Sequence, residues 1–191
     1  MDLGVSRETI EKLEEYHNLL LKWNSTINLI SKSSESDCWN RHILDSMQLL
    51  DVINSSNIFD LGSGAGLPGI VLAICGKKDL NLVEVDIRKC AFLRRVQSSL
   101  GLDITIHNCL IEDVLIPDDS IIVSRALADV SKFCKYAYDL KFDGEILLLK
   151  GDSYLNEVDV AKQFWDFDLE MFPSSTKEHS MILKILNIRK K

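Results

Sequence analysis

The sequence predicts an α/β fold in which a mostly parallel sheet is covered by helices on both faces. A helical extension precedes the sheet and an antiparallel hairpin follows it. Three observations carry this reading. Between residues 57 and 165 short apolar runs alternate with amphipathic helical segments, the pattern of parallel strands joined by crossover helices. Before residue 56 the apolar residues recur only at helical spacing. After residue 166 two strand-like runs flank a turn. A chain of 191 residues has room for one such core and a modest extension. The expected division is an extension over 1–55 and one compact sheet domain over 56–191.

Ser6 is placed to cap a helix over Glu8–Trp23, in which Ile10, Leu13, Tyr16 or His17, and Leu20 fall on one face. The polar run Asn24-Ser25-Thr26 interrupts it, and Ser33–Ser36 marks a loop before a second helix at about Asp37–Val52. Ile58–Leu61 is a short apolar strand ending at glycines, followed by a helix over Leu67–Cys75 and a second strand over Asn81–Val85. Arg88–Leu100 is amphipathic and stops at Gly101, a suitable C-cap. Asp103–His107 and Ile121–Ser124 are the third and fourth strands, Asp129–Asp139 a helix and Glu145–Leu149 the fifth strand. Ser153–Trp165 reads as the last helix. Phe167–Phe172, a turn at Pro173-Ser174-Ser175 and Ser180–Ile188 form the hairpin, bringing the sheet to seven strands.

A hydrophobic fraction of 46% and a charged fraction of 27% are those of an ordinary globular domain. No apolar run approaches the roughly 20 residues of a membrane helix, and Met1–Glu15 lacks the basic start and apolar stretch of a secretory signal. A cytoplasmic protein without a membrane partner is expected. The five cysteines are widely spaced and include no Cys-x-x-Cys pair, so reduced, mostly buried thiols are expected rather than a disulfide framework or a metal site. The net charge of −7 opposes non-selective coating of nucleic acid, yet a local basic patch still acts within a Debye length of roughly 8–10 Å.

The chemistry concentrates at Asp60-Leu61-Gly62-Ser63-Gly64-Ala65-Gly66-Leu67-Pro68-Gly69. Gly62, Gly64 and Gly66 follow a strand and precede a helix, where a ligand must approach the backbone and φ turns positive. Pro68 suits the first turn of a helix. About 20 residues on, Glu84 ends the second strand, where nucleotide-binding α/β folds place a carboxylate for a ribose diol; Asp86 is the alternative, and Glu84 is preferred. The window Gly64–Gly69 also satisfies the dinucleotide pattern G-x-G-x-x-G. Asp60 opposes a pyrophosphate but suits the ammonium of an aminoacyl group, and no second domain is present for a redox substrate. S-adenosyl-L-methionine is therefore the expected cofactor, with a nicotinamide oxidoreductase as the rival.

With those residues in place, the chain resembles the bacterial small-subunit rRNA guanine-N7 methyltransferases, the RsmG or GidB family. Lys22-Trp23-Asn24 with Asn28-Leu29, Arg41-His42-Ile43-Leu44-Asp45-Ser46, the glycine turn with Leu-Pro-Gly, Arg88-Lys89 before Phe92-Leu93-Arg94, Ser124-Arg125-Ala126 and Lys150-Gly151 occur in the family's order. The last forty residues carry little of the likeness. The resemblance implies a class I S-adenosylmethionine-dependent methyltransferase acting on N7 of a guanine in the 530 loop of 16S rRNA, free or in the small ribosomal subunit. It also implies that Gly62 and Leu67 line the cofactor pocket, that Ile111 and Glu112 sit at the adenine, and that Arg125 sits at the active site.

The acceptor chemistry agrees. The segment after the fourth strand reads Ser124-Arg125-Ala126-Leu127, without the Asn/Asp-Pro-Pro-aromatic motif of amino-group methylation, and no cysteine stands in a Pro-Cys or Thr-Cys pair as a C5 nucleophile requires. Guanine N7 already carries a nucleophilic lone pair, so the enzyme need only position it. Arg125 is a donor to the guanine edge or a phosphate, or else an ion pair within the fold. His42 is a second catalytic candidate at the active-site mouth, or a helix-surface histidine. Arg41 and Asp45, four apart, are spaced for a surface salt bridge. Arg41, Arg88, Lys89, Arg94 and Arg95, with Lys22 and Lys32, are the expected RNA contacts, or a solvated face. A monomer is expected. A non-catalytic ribosome-assembly factor remains a further alternative.

Overall fold

The structure is a computed structural model that describes residues 4–55 and 57–191. The first three residues and residue 56, where the expected boundary between extension and sheet domain falls, lie outside the described residues.

Helix α1 spans Arg7–Asn24, and its cap is the expected one, with Ser6 Oγ accepting from the Thr9 amide. Leu13, Tyr16 and Leu20 lie on one face and are wholly buried. The polar break after it is a built turn: Asn24 Oδ1 accepts from the amides of Leu29 and Ile30 at 2.8 and 2.9 Å, and its Nδ2 donates to Glu35 Oε1.

The second helix is not the regular element expected over Asp37–Val52. A 3-10 stretch (Lys32–Asp37) leads into a π-helical segment (Trp39–Leu44), a single α-turn, α2 (Asp45–Met47), and a second 3-10 turn (Gln48–Asp51). Two carbonyls in the widened segment are claimed from outside the helix ladder. Ser46 Oγ donates to His42 O, a back-bond that bends helices, and Arg125 Nη2 donates to Arg41 O.

The strands are β1 (Ile58–Leu61), β2 (Leu80–Val83), β3 (Ile104–His107), β4 (Ile121–Arg125), β5 (Glu145–Lys150), β6 (Trp165–Pro173) and β7 (Met181–Lys190). They form one seven-stranded sheet in the order β3-β2-β1-β4-β5-β7-β6. The first five are parallel, with Asp60 in register with Leu82 and Val123, and β7 is antiparallel to both β5 and β6. Strand order reverses between β1 and β4, so the loops leaving their carboxyl ends diverge and open a crevice, the place where open α/β sheets bind ligands.

Four helices differ from expectation at their ends or keep their caps as expected. α3 (Gly69–Ile74) begins two residues later than predicted, because residues 63–67 close on the Ser63 carbonyl through the amides of Gly66 and Leu67, and Pro68 precedes the helix. α4 (Ile87–Leu100) ends at Gly101 in the left-handed region at φ 62°, as its C-cap role requires. α5 (Val130–Leu140) is capped by Asp129. α6 (Tyr154–Ala161) stops short of the predicted Trp165, whose buried ring instead begins β6 and donates through Nε1 to Ser131 Oγ.

One face of the sheet packs on α1, the irregular segment, α3 and α4, and the other on α5 and α6. Leu13, Tyr16, Leu20, Ile43 and Leu49 belong to the same apolar cluster as Ile58, Leu82 and Val123, so the extension shares its core with the sheet. Among the described residues no helix is long and apolar enough to cross a membrane.

Candidate active site

A cavity of about 650 Å³ lies at the carboxyl ends of β1, β2 and β4, at the point where the strand order reverses. The loops that follow β1, β2, β3 and β4 contribute. Gly62, Ser63, Gly64, Ala65 and Leu67 follow β1, Glu84 and Val85 follow β2, Cys109 to Glu112 follow β3, and Arg125 to Leu127 end and follow β4. The helical extension supplies Leu29, Ile30, Ser31 and His42.

Gly62 has φ 69° and Gly64 φ 56°, the left-handed region that side chains avoid. An added Cβ at Gly62 would also stand 2.5 Å from Cδ1 of the exposed Leu127, which would have to move aside. At Gly64 an added Cβ would meet nothing closer than 3.8 Å, so what its bareness leaves open is the cavity itself. The turn is held from below by Tyr16, whose buried hydroxyl donates to Ala65 O at 2.8 Å. Ser63 and Gly62 hang their amides on Val83 O, and Ser63 Oγ donates to Asp60 O.

Glu84 is the carboxylate that follows β2 into the cavity. Its Oε2 accepts from the Gly64 amide at 2.8 Å and its Oε1 from the Asp86 amide at 2.8 Å. A carboxylate offers about four acceptor sites, so Glu84 retains capacity for a pair of hydroxyls. Asp86 does something else: it caps α4 by accepting from the Arg88 amide and pairs with the Arg88 guanidinium. The strand ends at Val83, and the turn after it sends the two carboxylates to different tasks.

Two residues expected in the cofactor site lie behind it. Asp60 has no exposed surface and does not line the cavity. Its Oδ2 accepts from the Gly69 amide at 3.0 Å, and Oδ1 is a buried atom without a hydrogen-bond partner. Burial, with the Glu84 charge as a lesser cause, pushes its carboxyl up to about 7. Gly66 faces Ile70 and Leu93, and an added Cβ would stand 2.3 Å from Ile70 Cγ1, so its bareness serves packing.

Arg125 and His42 meet, but not as free catalytic groups. Arg125 donates from Nε to Asp45 Oδ2 at 2.9 Å, from Nη1 to His42 Nδ1 at 2.7 Å and from Nη2 to Arg41 O at 2.7 Å. Asp45 therefore pairs with Arg125 across the fold and not with Arg41 on its own helix, and it also accepts from Gln48 Nε2 and Thr176 Oγ1. His42 is buried, contrary to the surface alternative. Burial, then the Arg125 and Arg41 charges, lower its pKa to about 4, so it is neutral. Arg125 donates to Nδ1, which assigns the proton to Nε2, and that N–H reaches Ser34 Oγ at 2.9 Å while Ser34 donates onward to Ser31 O.

The loop after β4 is pinned at its other end by Lys150. Its ammonium donates to Ala128 O and pairs with Glu157 at 2.7 Å, leaving the lysine side chain almost wholly enclosed. Between the two anchors Ala126 adopts φ 55°.

A second cavity of about 350 Å³ adjoins the first, sharing Arg125 and Ala126 with it. Arg41 lines this one, and so do Lys150 and the turn between β6 and β7. Of the basic helix, Lys89 reaches the large cavity, Arg88 is exposed and paired with Asp86, and Arg94 and Arg95 are exposed on the outer face of α4. Lys22 and Lys32 are exposed as well.

Tyr16, Asn24, Asp45, Cys109 and Lys150 escape the sequence reading of the site. Asn24, Asp45 and Lys150 stand inside segments shared with the family, which is the available signal. Tyr16 reads only as one more apolar position of α1. Cys109 lines the cavity, and burial raises its thiol, which disfavours the thiolate a C5 nucleophile requires.

The sheet order, with its antiparallel final strands and a cavity built by the loops after β1, β2 and β4, defines a class I S-adenosylmethionine-dependent methyltransferase fold. Among solved structures the chain resembles a tRNA (uracil-54, C5)-methyltransferase from Pyrococcus abyssi in complex with S-adenosyl-L-homocysteine, with a TM-score of 0.61 and 17% identity over 83% of this chain and 40% of that longer one. It likewise resembles a putative S-adenosyl-L-methionine-dependent methyltransferase from Methanococcus maripaludis, with a TM-score of 0.58 and 12% identity over 92% and 93% of the two chains. The GidB family profile, rRNA small subunit methyltransferase G, matches residues 9–182. Ribosomal RNA small subunit methyltransferase G of Rickettsia akari is 43% identical over 98% of this chain and 99% of its own length. The chain belongs to the rRNA small subunit methyltransferase G family, and its methyl donor is S-adenosylmethionine.

Proposed function

We propose that the chain methylates N7 of a guanine in 16S rRNA, the 530-loop guanine implied by the family resemblance, with the small ribosomal subunit or its free rRNA as substrate. The observation that carries this reading is the switch-point cavity in a chain matched to the family over residues 9–182.

The residues present fit the cofactor. Glu84, with acceptor capacity to spare beside the bare Gly64 backbone, would take the ribose hydroxyls. Val85 and Leu110 are exposed apolar residues on the rim, and with Ile111 they would cover the adenine, with Glu112 beside it. Gly62 and Leu67 would wall the aminoacyl end. When bound, S-adenosylmethionine supplies an electrophilic methyl group on its sulfonium.

The chain then has to bring a neutral guanine into line and exclude water, because the N7 lone pair needs no deprotonation. The residues at the cavity mouth suit that role. His42 is neutral and fully engaged, and Arg125 is fixed by three hydrogen bonds, so both hold geometry and neither moves a proton. Arg125 has two of its five N–H groups left for the acceptor. The exposed Arg41, Arg94 and Arg95, with Lys89, would meet RNA phosphates.

Transfer of labelled methyl from S-adenosylmethionine to unmodified small subunits and to naked 16S rRNA tests the proposal. Label is expected in RNA, at a site where borohydride and aniline cleave the strand, as they do at N7-methylguanine. Absence of label in every assembly state, or label resistant to that cleavage, sinks it.

A further inference from the structure

The second cavity carries an inference about the acceptor, one that rests on the proposed function. Its volume of about 350 Å³ suits a single nucleotide, and it shares Arg125 and Ala126 with the cofactor cavity, so an occupant lies next to the methyl donor. Its lining combines features that an anion site would not. Arg41, Arg125, Lys150 and Lys177 are cationic, Leu149 and Met181 are apolar, and Asp37 and Asp45 are carboxylates.

The hydrogen-bonding capacities that remain decide what fits. Arg125 has used three of its five N–H groups and Lys150 two of its three. Asp37 Oδ1 accepts from Asn40 Nδ2 at 2.7 Å, which leaves most of an exposed carboxylate free. The nearby Asp45 is already bonded by Arg125, Gln48 and Thr176. A bare phosphate gains from the cations but is repelled by Asp37. A guanine uses both kinds of group. Its ring N–H and exocyclic amine are adjacent donors that match one carboxylate, and its carbonyl is an acceptor that matches a residual N–H of arginine or lysine. Adenine reverses the pattern, presenting a ring acceptor to the carboxylate and an amine to the cations.

We propose that this smaller cavity receives the acceptor guanine and that Asp37 reads its Watson–Crick edge. Held in this way, the base keeps N7 free of hydrogen bonds, and Leu149 and Met181 provide apolar cover. Asp37 is a specificity residue, since it touches the substrate away from the reacting atom.

Saturation-transfer NMR on the full chain, saturated with S-adenosylhomocysteine, tests this with guanosine, inosine and adenosine 5′-monophosphates. Inosine keeps the ring N–H and lacks the amine, so it loses one of the two bonds to Asp37. Guanosine monophosphate is expected to bind about tenfold more tightly than inosine monophosphate, with adenosine monophosphate weakest. Asp37→Ala, a change at an exposed side chain, is expected to reduce the guanosine-to-inosine ratio to near one. Equal binding of the three nucleotides, an unchanged ratio in Asp37→Ala, or displacement of all three by inorganic phosphate alone overturns the proposal, as does a lack of binding. If the nucleotides show the expected ratios while no rRNA is ever labelled, the guanine site stands and the rRNA reading falls.

Discussion

Arg125 Nη1 stands 2.7 Å from His42 Nδ1, a guanidinium donating to a neutral imidazole. This bond joins the end of β4 to the π-helical segment of the extension. It requires Nδ1 to accept, so protonation of His42 would set two donors against each other beside a fixed positive charge. The folded pKa of about 4 lies below the unfolded value near 6.5. Between those values the unfolded chain binds more protons. The contribution of His42 to stability is therefore complete above about pH 6.5 and is lost as the pH falls toward 4, at no more than about 1.4 kcal/mol per pH unit. Urea unfolding of wild type and His42→Gln across pH 4–7 checks this. The variant should lose that part of the slope, and parallel curves would contradict the assignment.

Asp60 has the opposite sign. Its folded pKa of about 7 exceeds the ordinary value of 3.8, so its contribution is complete below about pH 3.8 and is lost as the pH rises through 7. Asp60→Asn keeps an oxygen for the Gly69 amide and is neutral throughout. Relative to wild type it should gain on the order of 4 kcal/mol between pH 4 and pH 8. Because Asp60 does not line the cavity, the affinity for S-adenosylmethionine should change by less than about fivefold, a shift under roughly 1 kcal/mol. A loss of a hundredfold would return Asp60 to the cofactor site.

Glu84 should respond in the reverse way. Glu84→Ala removes the acceptor for the Gly64 and Asp86 amides and for the ribose hydroxyls together. Hydrogen bonds to a charged group are worth about 1.5–3 kcal/mol each. Calorimetry should show S-adenosylmethionine binding weakened by at least about tenfold, and Glu84→Gln should fall between the variant and wild type.

Tyr16→Phe removes one buried hydroxyl and leaves Ala65 O without its donor. The expected cost is about 1–3 kcal/mol in chemical denaturation. The glycine turn loses its support from α1, so cofactor affinity should fall several-fold although Tyr16 does not line the cavity.

Lys150→Met leaves Glu157 without its cation, with only the Ser153 hydroxyl donating to it, and the Ala128 carbonyl without its donor, beside Phe133. Breaking an enclosed pair costs about 3–5 kcal/mol when one charge remains behind, less where water reaches it. The segment Arg125–Ala128 loses one of its two anchors, so methyl transfer should fall by more than cofactor binding does. A variant that loses both equally would mean that Lys150 serves only the fold.

The fold was legible because its signals are local and periodic. The alternation from Ile58 onward, the glycines after β1 and the stop at Gly101 state their roles within a few residues, and the sheet formed in the expected order of elements. The boundaries that failed depended on partners distant in sequence. Trp165 reads as the end of a helix until Ser131 and β7 claim it. The second helix reads as regular until Arg125 takes the carbonyl of Arg41.

The sequence by itself determined a glycine turn after the first strand, a carboxylate at Glu84 and an arginine after the fourth strand, since each follows from strand periodicity and the backbone needs of a ligand. Only the tertiary structure decided which of these groups are free to act. Asp60 and Gly66 stand in the same motif as Gly62 and Gly64, but they turn inward to support the turn, while Glu84 and Gly64 face the cavity. Arg125 lies far along the chain from His42 and Asp45, and the fold closes the three into one network before any substrate arrives. Motif spacing fixes which residues lie near a site. Whether a polar group there is spent on its neighbours or left for a ligand is set by long-range packing, which composition and periodicity do not record.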